Sequence, residues 1–259
     1  MSIHTNPFEY KLDWGEKSFK CMLNIMKNES KYENTKFVTP SMYYSNEYNI
    51  LTGVKINYIP HAIDVSRLTS KRKKEDILKD LNIDLSKKII LLPSRLEPIQ
   101  KQPMLFMKAF SILDDCIKEK YTIVCTGADK QYLKYKLDIE EFCKDNNICI
   151  VITRFKDMAD AFTIADIVAL PSQSESFGYA ALESLSLGII TIMNSIPTFK
   201  EVADGSLNSI FFNNSVDSLY ETLSMNITKK PQRKSQSNNW QDKYSLIKFG
   251  QRYLNLYKK

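Results

Sequence analysis

The sequence predicts an α/β protein with one complete parallel-sheet domain behind a partial α/β unit. Three observations predict it. Short apolar runs recur from about residue 88 onward and alternate with stretches of helical period. Those runs are apolar without alternation, as strands covered on both faces are. The first 64 residues hold too few such runs for a second complete sheet.

The elements follow in chain order. Residues 8–28 include one helix. FVTPS (37–41) and VKINYIP (54–60) read as short strands, with Tyr43 to Leu51 helical between them. Lys71, Arg72, Lys73 and Lys74 form the one dense cationic cluster. Glu75 and Asp76 follow at once and no aromatics are interleaved. The cluster reads as a solvated helix face, with a membrane-surface contact as the alternative. KKIILLPS (87–94) is a buried parallel strand. Lys101 to Leu113 is a helix with Met104, Met107, Phe110 and Leu113 at three-residue spacing. YTIVCTG (121–127), ICIVIT (148–153), DIVALP (166–171), GIITIMN (188–194) and SIFF (209–212) are the further strands. Tyr132 to Lys144, Met158 to Ala165, Gly178 to Leu187 and Val216 to Met225 are the helices among and after them. Lys229 to Asn239 is polar and apolar-poor, hence a loop. Trp240 to Tyr257 gives a last helix, with Tyr244, Ile247, Tyr253, Leu254 and Tyr257 as its apolar candidates.

Composition narrows the function classes. Hydrophobic content of 43% and charged content of 25% are those of a soluble globular protein. No apolar run approaches the length of a membrane span. The opening SIHTNPFEY has no basic start and no apolar core, so no secretory leader is expected. The five cysteines are scattered, with no CxxC pair, which points to free thiols in a reducing cytosol. His4 and His61 are the only histidines, which weakens any metal-site reading. The net charge of +6 favours anionic partners such as phosphates or acidic lipids. Nucleic acid is not expected, because the basic cluster lacks aromatic partners.

The segment PSQSESFGYAALESLSLG (171–188) carries the chemistry. It leads from the end of a strand through a loop into a helix, where α/β proteins bind ligands. Glu175 lies in the loop and Glu183 one and a half turns into the helix. Gly178 permits close backbone approach. N–H groups from Gly178 through Tyr179 and Ala181 to Leu182 are candidates for the orphan donors of the first turn. The plain alternative is Ser174 or Ser176 as a helix cap with Glu183 facing solvent. After the first strand, Arg95 and Lys101 stand where a diphosphate beside the sheet edge would need cations. On their own, two surface cations would read the same way.

Together these residues resemble the family 4 glycosyltransferases, which have the GT-B fold. IPHAID (59–64) is similar to the family's interdomain IPNGID, PSRLEPIQK (93–101) to its GRL…K strand and loop, and PSQSESFGYAALESLSLGIITI (171–192) to its PS…E-x-FG-x-x-x-LEAMA-x-G-x-P-V segment. The closing helix resembles the one that crosses back to the first domain. The resemblance implies that Glu183 holds the ribose hydroxyls of a nucleotide-sugar donor and that Glu175 faces the donor sugar. Phe177 and Gly178 would present backbone groups to sugar and diphosphate. Arg95 and Lys101 would neutralise the diphosphate and stabilise it as it leaves, with no metal or other cofactor expected. Arg154 or Phe155 would lie where the base is held. IHTNP resembles the segment of a strand-end histidine near the donor sugar, which makes His4 a further candidate.

The implied protein is a cytoplasmic enzyme, peripheral at the inner membrane face in one reading. It would transfer sugar with retention to a glycan or lipid-linked acceptor. The expected domains are 1–64 (acceptor side, partial), 65–238 (donor-binding, Rossmann-like) and 239–259 (crossover helix). On the order of a hundred residues of a full first domain are not accounted for. The alternative is therefore a non-catalytic donor-binding remnant, or a subunit whose partner chain supplies the missing half. Ser94, His61, Ala62, Gln102 and Arg154 depart from the family pattern, but no charged site residue is lost.

Overall fold

Six parallel strands in the order β5-β4-β3-β6-β7-β8 make the central sheet, and β1 and β2 make a separate parallel pair. The elements run α1 (Pro7–Glu29), β1 (Phe37–Thr39), α2 (Met42–Thr52), β2 (Ile56–Tyr58), α3 (Lys74–Asp80), β3 (Lys88–Arg95), α4 (Pro103–Ser111), α5 (Asp115–Lys118), β4 (Tyr121–Gly127), α6 (Leu133–Asp145), β5 (Ile150–Ile152), α7 (Met158–Ile164), β6 (Ile167–Leu170), α8 (Tyr179–Ser186), β7 (Ile190–Asn194), α9 (Pro197–Ala203), β8 (Ser209–Phe212), α10 (Val216–Asn226), α11 (Asn238–Lys243) and α12 (Leu246–Tyr257). The structure, a computed structural model, describes residues 7–32, 34–227 and 235–258.

The apolar runs become strands because both faces of the sheet are covered. Ile89 and Leu91 point into one core, with Phe162 of α7, Leu182 and Leu185 of α8, and Phe199 of α9. Ile90 and Leu92 point into the other, with Phe106 and Phe110 of α4, Ile139 of α6, and Leu219 of α10. Period-two alternation thus supplies two cores from one continuous run. A third, smaller core joins Met26, Phe37, Tyr48 and Ile56 around the β1–β2 pair.

Gly127 is fixed by backbone crowding. The register slips between Leu92 and Arg95, which brings the end of β3 against Gly127. A Cβ there would stand 2.4 Å from the Ser94 carbonyl oxygen and 2.5 Å from the Arg95 Cα. Backbone cannot yield as a flexible side chain does. Gly127→Ala is therefore expected to destabilise the chain by roughly 3 kcal/mol or more, read as a lowered denaturation midpoint.

The two sheets are joined by a shared helix cap. Glu201 of α9 accepts from Ser41 Oγ at 2.9 Å and from the Met42 N–H at 2.8 Å, both at the start of α2. A carboxylate at a helix N-terminus meets orphan donors and the positive end of the dipole. Burial, and then the Glu201 charge, push the Tyr58 hydroxyl pKa well up on the same side. Glu201→Ala is expected to cost about 1–2 kcal/mol in chemical denaturation.

Several expectations change in detail. The helix expected within 8–28 is broken at Gly15, whose backbone is non-helical at φ 80°. The last helix is two, interrupted at Tyr244 and Ser245. Trp240 and Tyr244 lie in the core beside α8 and α9, whereas Ile247, Leu254 and Tyr257 are exposed. The short helix α9 was not anticipated. In the basic cluster, Arg72 bonds Asp80 and Asp160, and Lys74 sits 2.9 Å from Asp166. These bonds spend two of the four charges inside the fold. All five cysteines are free thiols.

Candidate functional site

The strand order puts β3 and β6 side by side, with the chain departing in opposite directions across the sheet from there. A crevice opens outside the carboxyl ends of two such strands. The loop after β3 carries Lys101 and the loop after β6 carries Glu175, and the structure brings the two into contact. Lys101 Nζ lies 2.7 Å from Glu175 Oε1, with side-chain exposures of 13% and 17%. Ser172 Oγ donates to the same carboxylate oxygen at 2.9 Å. Asn194, at the end of β7, donates to the Ser172 carbonyl at 3.1 Å and fixes that buttress.

Glutamines stitch the two loops beside the ion pair. The Gln173 N–H donates to the Gln100 carbonyl at 2.7 Å, and Gln102 Nε2 donates to Gln173 Oε1 at 3.2 Å. Glu97 folds the first loop on itself. Its carboxylate accepts from the N–H groups of Ile99 at 3.1 Å, of Gln100 and of Lys101 at 3.2 Å. Gln102, the N-cap of α4, has φ 49°. That left-handed conformation costs a non-glycine residue about 1 kcal/mol. Sequence reasoning missed Glu97, Ser172 and Gln173. A carboxylate directly before Pro98, at the head of a loop of free N–H groups, was the signal for Glu97.

Gly178 is the N-cap of α8 at φ 96°. A side chain there would strike the Phe199 ring at 2.9 Å. The N-cap position falls on Gly178 and not on Ser174 or Ser176. The Gly178 carbonyl takes the N–H groups of both Ala181 and Leu182 at 3.1 Å. These two residues are fully buried and serve the core, which corrects the expectation that they offer free donors. The N–H groups of Tyr179 and Ala180 remain beyond the reach of any carbonyl of the helix.

Glu183 is the unusual group. Its carboxylate is partly buried on α8 and takes no hydrogen bond or ion pair among the described residues. Desolvation raises its pKa from 4.5 to about 7. Tyr179, one turn earlier, has a raised pKa from burial and then from the Glu183 charge. A carboxylate in this state is an acceptor in want of donors.

His61 is a further residue that sequence reasoning missed as a site member. It stacks on Tyr179 with ring centroids 4.9 Å apart and meets Phe177 edge-on at 5.0 Å. Phe249 of α12 lies 6.5 Å away on the same ring. One imidazole thereby joins the segment after β2, the start of α8 and the final helix. Its signal was the departure from the resembled pattern at that position, since only a ring can stack.

Arg95 is exposed at the end of β3 and forms no ion pair among the described residues. Phe155, in the loop after β5, packs against the core, while Arg154 beside it is exposed. His4 lies outside the described residues.

The sequence from 73 to 243 matches the family model described as glycosyl transferases group 1. Curated relatives include D-inositol 3-phosphate glycosyltransferases of Corynebacterium urealyticum, 25% identical over 155 residues, and of Corynebacterium glutamicum, 30% identical over 142 residues. The first match covers 55% of this chain and 35% of the relative, the second 52% and 34%. The chain thus spans about a third of the length of these relatives. Among solved structures, an Anabaena protein crystallised with UDP and glucose superposes with TM-score 0.76 at 14% identity, over 100% of this chain and 70% of its own. A glycosyltransferase of Rickettsia africae gives 0.74 at 18% identity, over 89% and 66%. The architecture is that of GT-B proteins, and the match over more than half its length shows that the chain belongs to the group 1 glycosyl transferases.

Proposed function

We propose that the chain binds a nucleotide-diphosphate-sugar in the crevice between the β3 and β6 loops and takes part in transferring the sugar, with retention, to a hydroxyl acceptor. The observation that carries this reading is the unpartnered Glu183 carboxylate on the same loop–helix unit as Glu175, whose partner Lys101 comes from the loop after β3. A ribose diol supplies the two donors that Glu183 lacks. The N–H groups of Tyr179 and Ala180, with Lys101 and Arg95, meet the diphosphate. Glu175, released from Lys101 when the diphosphate arrives, turns to the sugar hydroxyls. Arg154 or Phe155 flanks the base, and His4 is assigned to the sugar side.

In the reaction the bond from C1 to the phosphate oxygen breaks and its electron pair leaves on the phosphate. The acceptor oxygen bonds C1, and its proton passes to the departing phosphate or to solvent. Lys101 and Arg95 stabilise the charge that develops on the leaving group. They carry the role a metal ion plays elsewhere, and no cofactor is assigned. The acceptor class is a glycan or a lipid-linked sugar, in the making of a polysaccharide or cell-surface glycan. The free cysteines support a cytoplasmic setting.

The solved Anabaena relative was crystallised with UDP and glucose, which supports a uridine donor as the first to try. The test is release of nucleoside diphosphate from a panel of nucleotide-sugars, with the anomer of the first-formed sugar read by proton NMR. Release from one donor with its anomeric configuration kept is expected. An inverted product would remove the retaining assignment.

A second reading is favoured by the β1–β2 pair, whose two strands have no further sheet neighbours among the described residues. In that reading another polypeptide continues this sheet and supplies the acceptor side. The chain alone then binds donor without releasing product, and an added partner restores release.

A further inference from the structure

One residue holds the whole loop between β3 and α4. Pro98 has no N–H, so the first donor after Glu97 is Ile99. The N–H groups of Ile99 at 3.1 Å, of Gln100, and of Lys101 at 3.2 Å all end on the Glu97 carboxylate. The Glu97 carbonyl takes the N–H groups of Lys101 and Gln102, both at 3.2 Å. Four successive N–H groups, 99 to 102, thus converge on Glu97. Successive N–H groups turned to one point make a nest for an anion. Here the chain fills the nest with its own carboxylate.

Two of these donors flank the Cα of Lys101. Its own N–H ends on Glu97 twice, at the carboxylate and at the carbonyl, and the N–H of the next residue ends on the carbonyl. Both peptide planes beside that Cα are therefore tied to Glu97. The Gln173 N–H holds the Gln100 carbonyl at 2.7 Å from the opposite loop, on the same peptide that carries the Lys101 N–H. With these planes fixed, the direction in which the side chain leaves the backbone is fixed too. The flexible lysine stem then needs little further ordering to set Nζ 2.7 Å from Glu175 Oε1. A negative group next to a crevice for an anion weakens attraction to that anion. Aiming the cation is what offsets this cost.

We propose that Glu97 is a positioning residue for Lys101, and that it acts on a bound diphosphate only through that lysine. The effect on binding rests on the donor reading of the crevice, whereas the placing of Lys101 does not.

The test has one arm without ligand and one with it. In the first, the purified chain is labelled with limiting acetic anhydride and each lysine is read by mass spectrometry. Lys101 should react at least about tenfold faster in Glu97→Ala, because hydrogen bonds to a charged acceptor are lost. Glu97→Gln, which keeps one acceptor oxygen, should fall between the two. Lys108, exposed on α4, should react at the native rate in all three chains and so report that the fold is intact. In the second arm, UDP and UMP are titrated by calorimetry. Glu97→Ala should weaken UDP by about tenfold, as misplacement of a positioned charge does, and UMP much less. In the Lys101→Ala background the same substitution should change UDP affinity no further. Native labelling of Lys101 in Glu97→Ala overturns the proposal. So does UDP bound as well or more tightly by Glu97→Ala, because the nest would then be a phosphate site that the carboxylate blocks. An equal loss on top of Lys101→Ala also overturns it, because Glu97 would then act independently of the lysine. If neither nucleotide binds the native chain, the donor reading fails, and the labelling still decides whether Glu97 places Lys101.

Discussion

Glu183→Gln is expected to weaken donor binding by about 10- to 100-fold near about pH 8, and to make the remaining affinity indifferent to pH. The amide keeps the shape of the side chain and one acceptor oxygen, but not the charge that strengthens hydrogen bonds from a diol. In the native chain the affinity should fall as pH drops below about 7, where the carboxylate takes up a proton. The same residue should leave a mark on stability of opposite sense. Its folded pKa of about 7 lies above the ordinary 4.5. Below the lower value both folded and unfolded chains hold the proton, and burial costs nothing extra. Between the two values the unfolded chain releases the proton while the folded chain keeps it, so stability falls. Above the upper value the full penalty stands, about 3 kcal/mol. Glu183→Gln should therefore match the native chain near about pH 4 and exceed it near about pH 8 in urea denaturation. A variant that gains stability while losing ligand marks a group kept for binding and not for folding.

Lys101→Ala is the second large effect. It should slow sugar release about 10²- to 10³-fold, as loss of a charge aimed at a leaving group does. It should also destabilise the empty chain by about 2–3 kcal/mol, because Glu175 is left partly buried with only Ser172 as a partner. Both groups retain some exposure, which keeps this below the cost of breaking a fully buried pair. Lys101→Met with Glu175→Leu separates the two roles. It should return stability close to the native value and leave sugar release as low as in Lys101→Ala. Recovery of release in the double variant would show that the pair only holds the loops together.

Much of this fold was legible because strands buried on both faces advertise themselves. KIILL and TIVC need no partner to be recognised, and their alternation serves two cores at once. The helix α9 was not legible. Pro197 to Ala203 is short, and its reason for being helical lies in what Phe199 packs against and what Glu201 caps. The break of the last helix at Ser245 was missed for a similar reason. Ser245 caps α12 through the Lys248 N–H, a cap signal inside the stretch read as one helix, whereas Ser237, which caps α11 through the Trp240 N–H, lies in the segment read as a loop.

At the site, Glu175 and Glu183 could be singled out because a loop feeding a helix from a strand end is a ligand position in this class of fold. The partnerships could not. Lys101 and Glu175 stand 74 residues apart, and only the neighbouring of β3 and β6 brings them together. The stack of His61 on Tyr179 likewise depends on where the segment after β2 returns over α8. The expectation that Ala181 and Leu182 offer free N–H groups failed on local geometry, since the Gly178 carbonyl reaches both.

The most direct measurement is calorimetric titration of the purified chain with a panel of nucleoside diphosphates and nucleotide-sugars, repeated on Glu183→Ala. The account predicts about micromolar affinity for one base, carried by the nucleoside diphosphate as well as by its sugar, and lost in the variant. Undiminished binding in Glu183→Ala, or no binding of any nucleotide by a folded chain, would contradict a donor site in the crevice between β3 and β6.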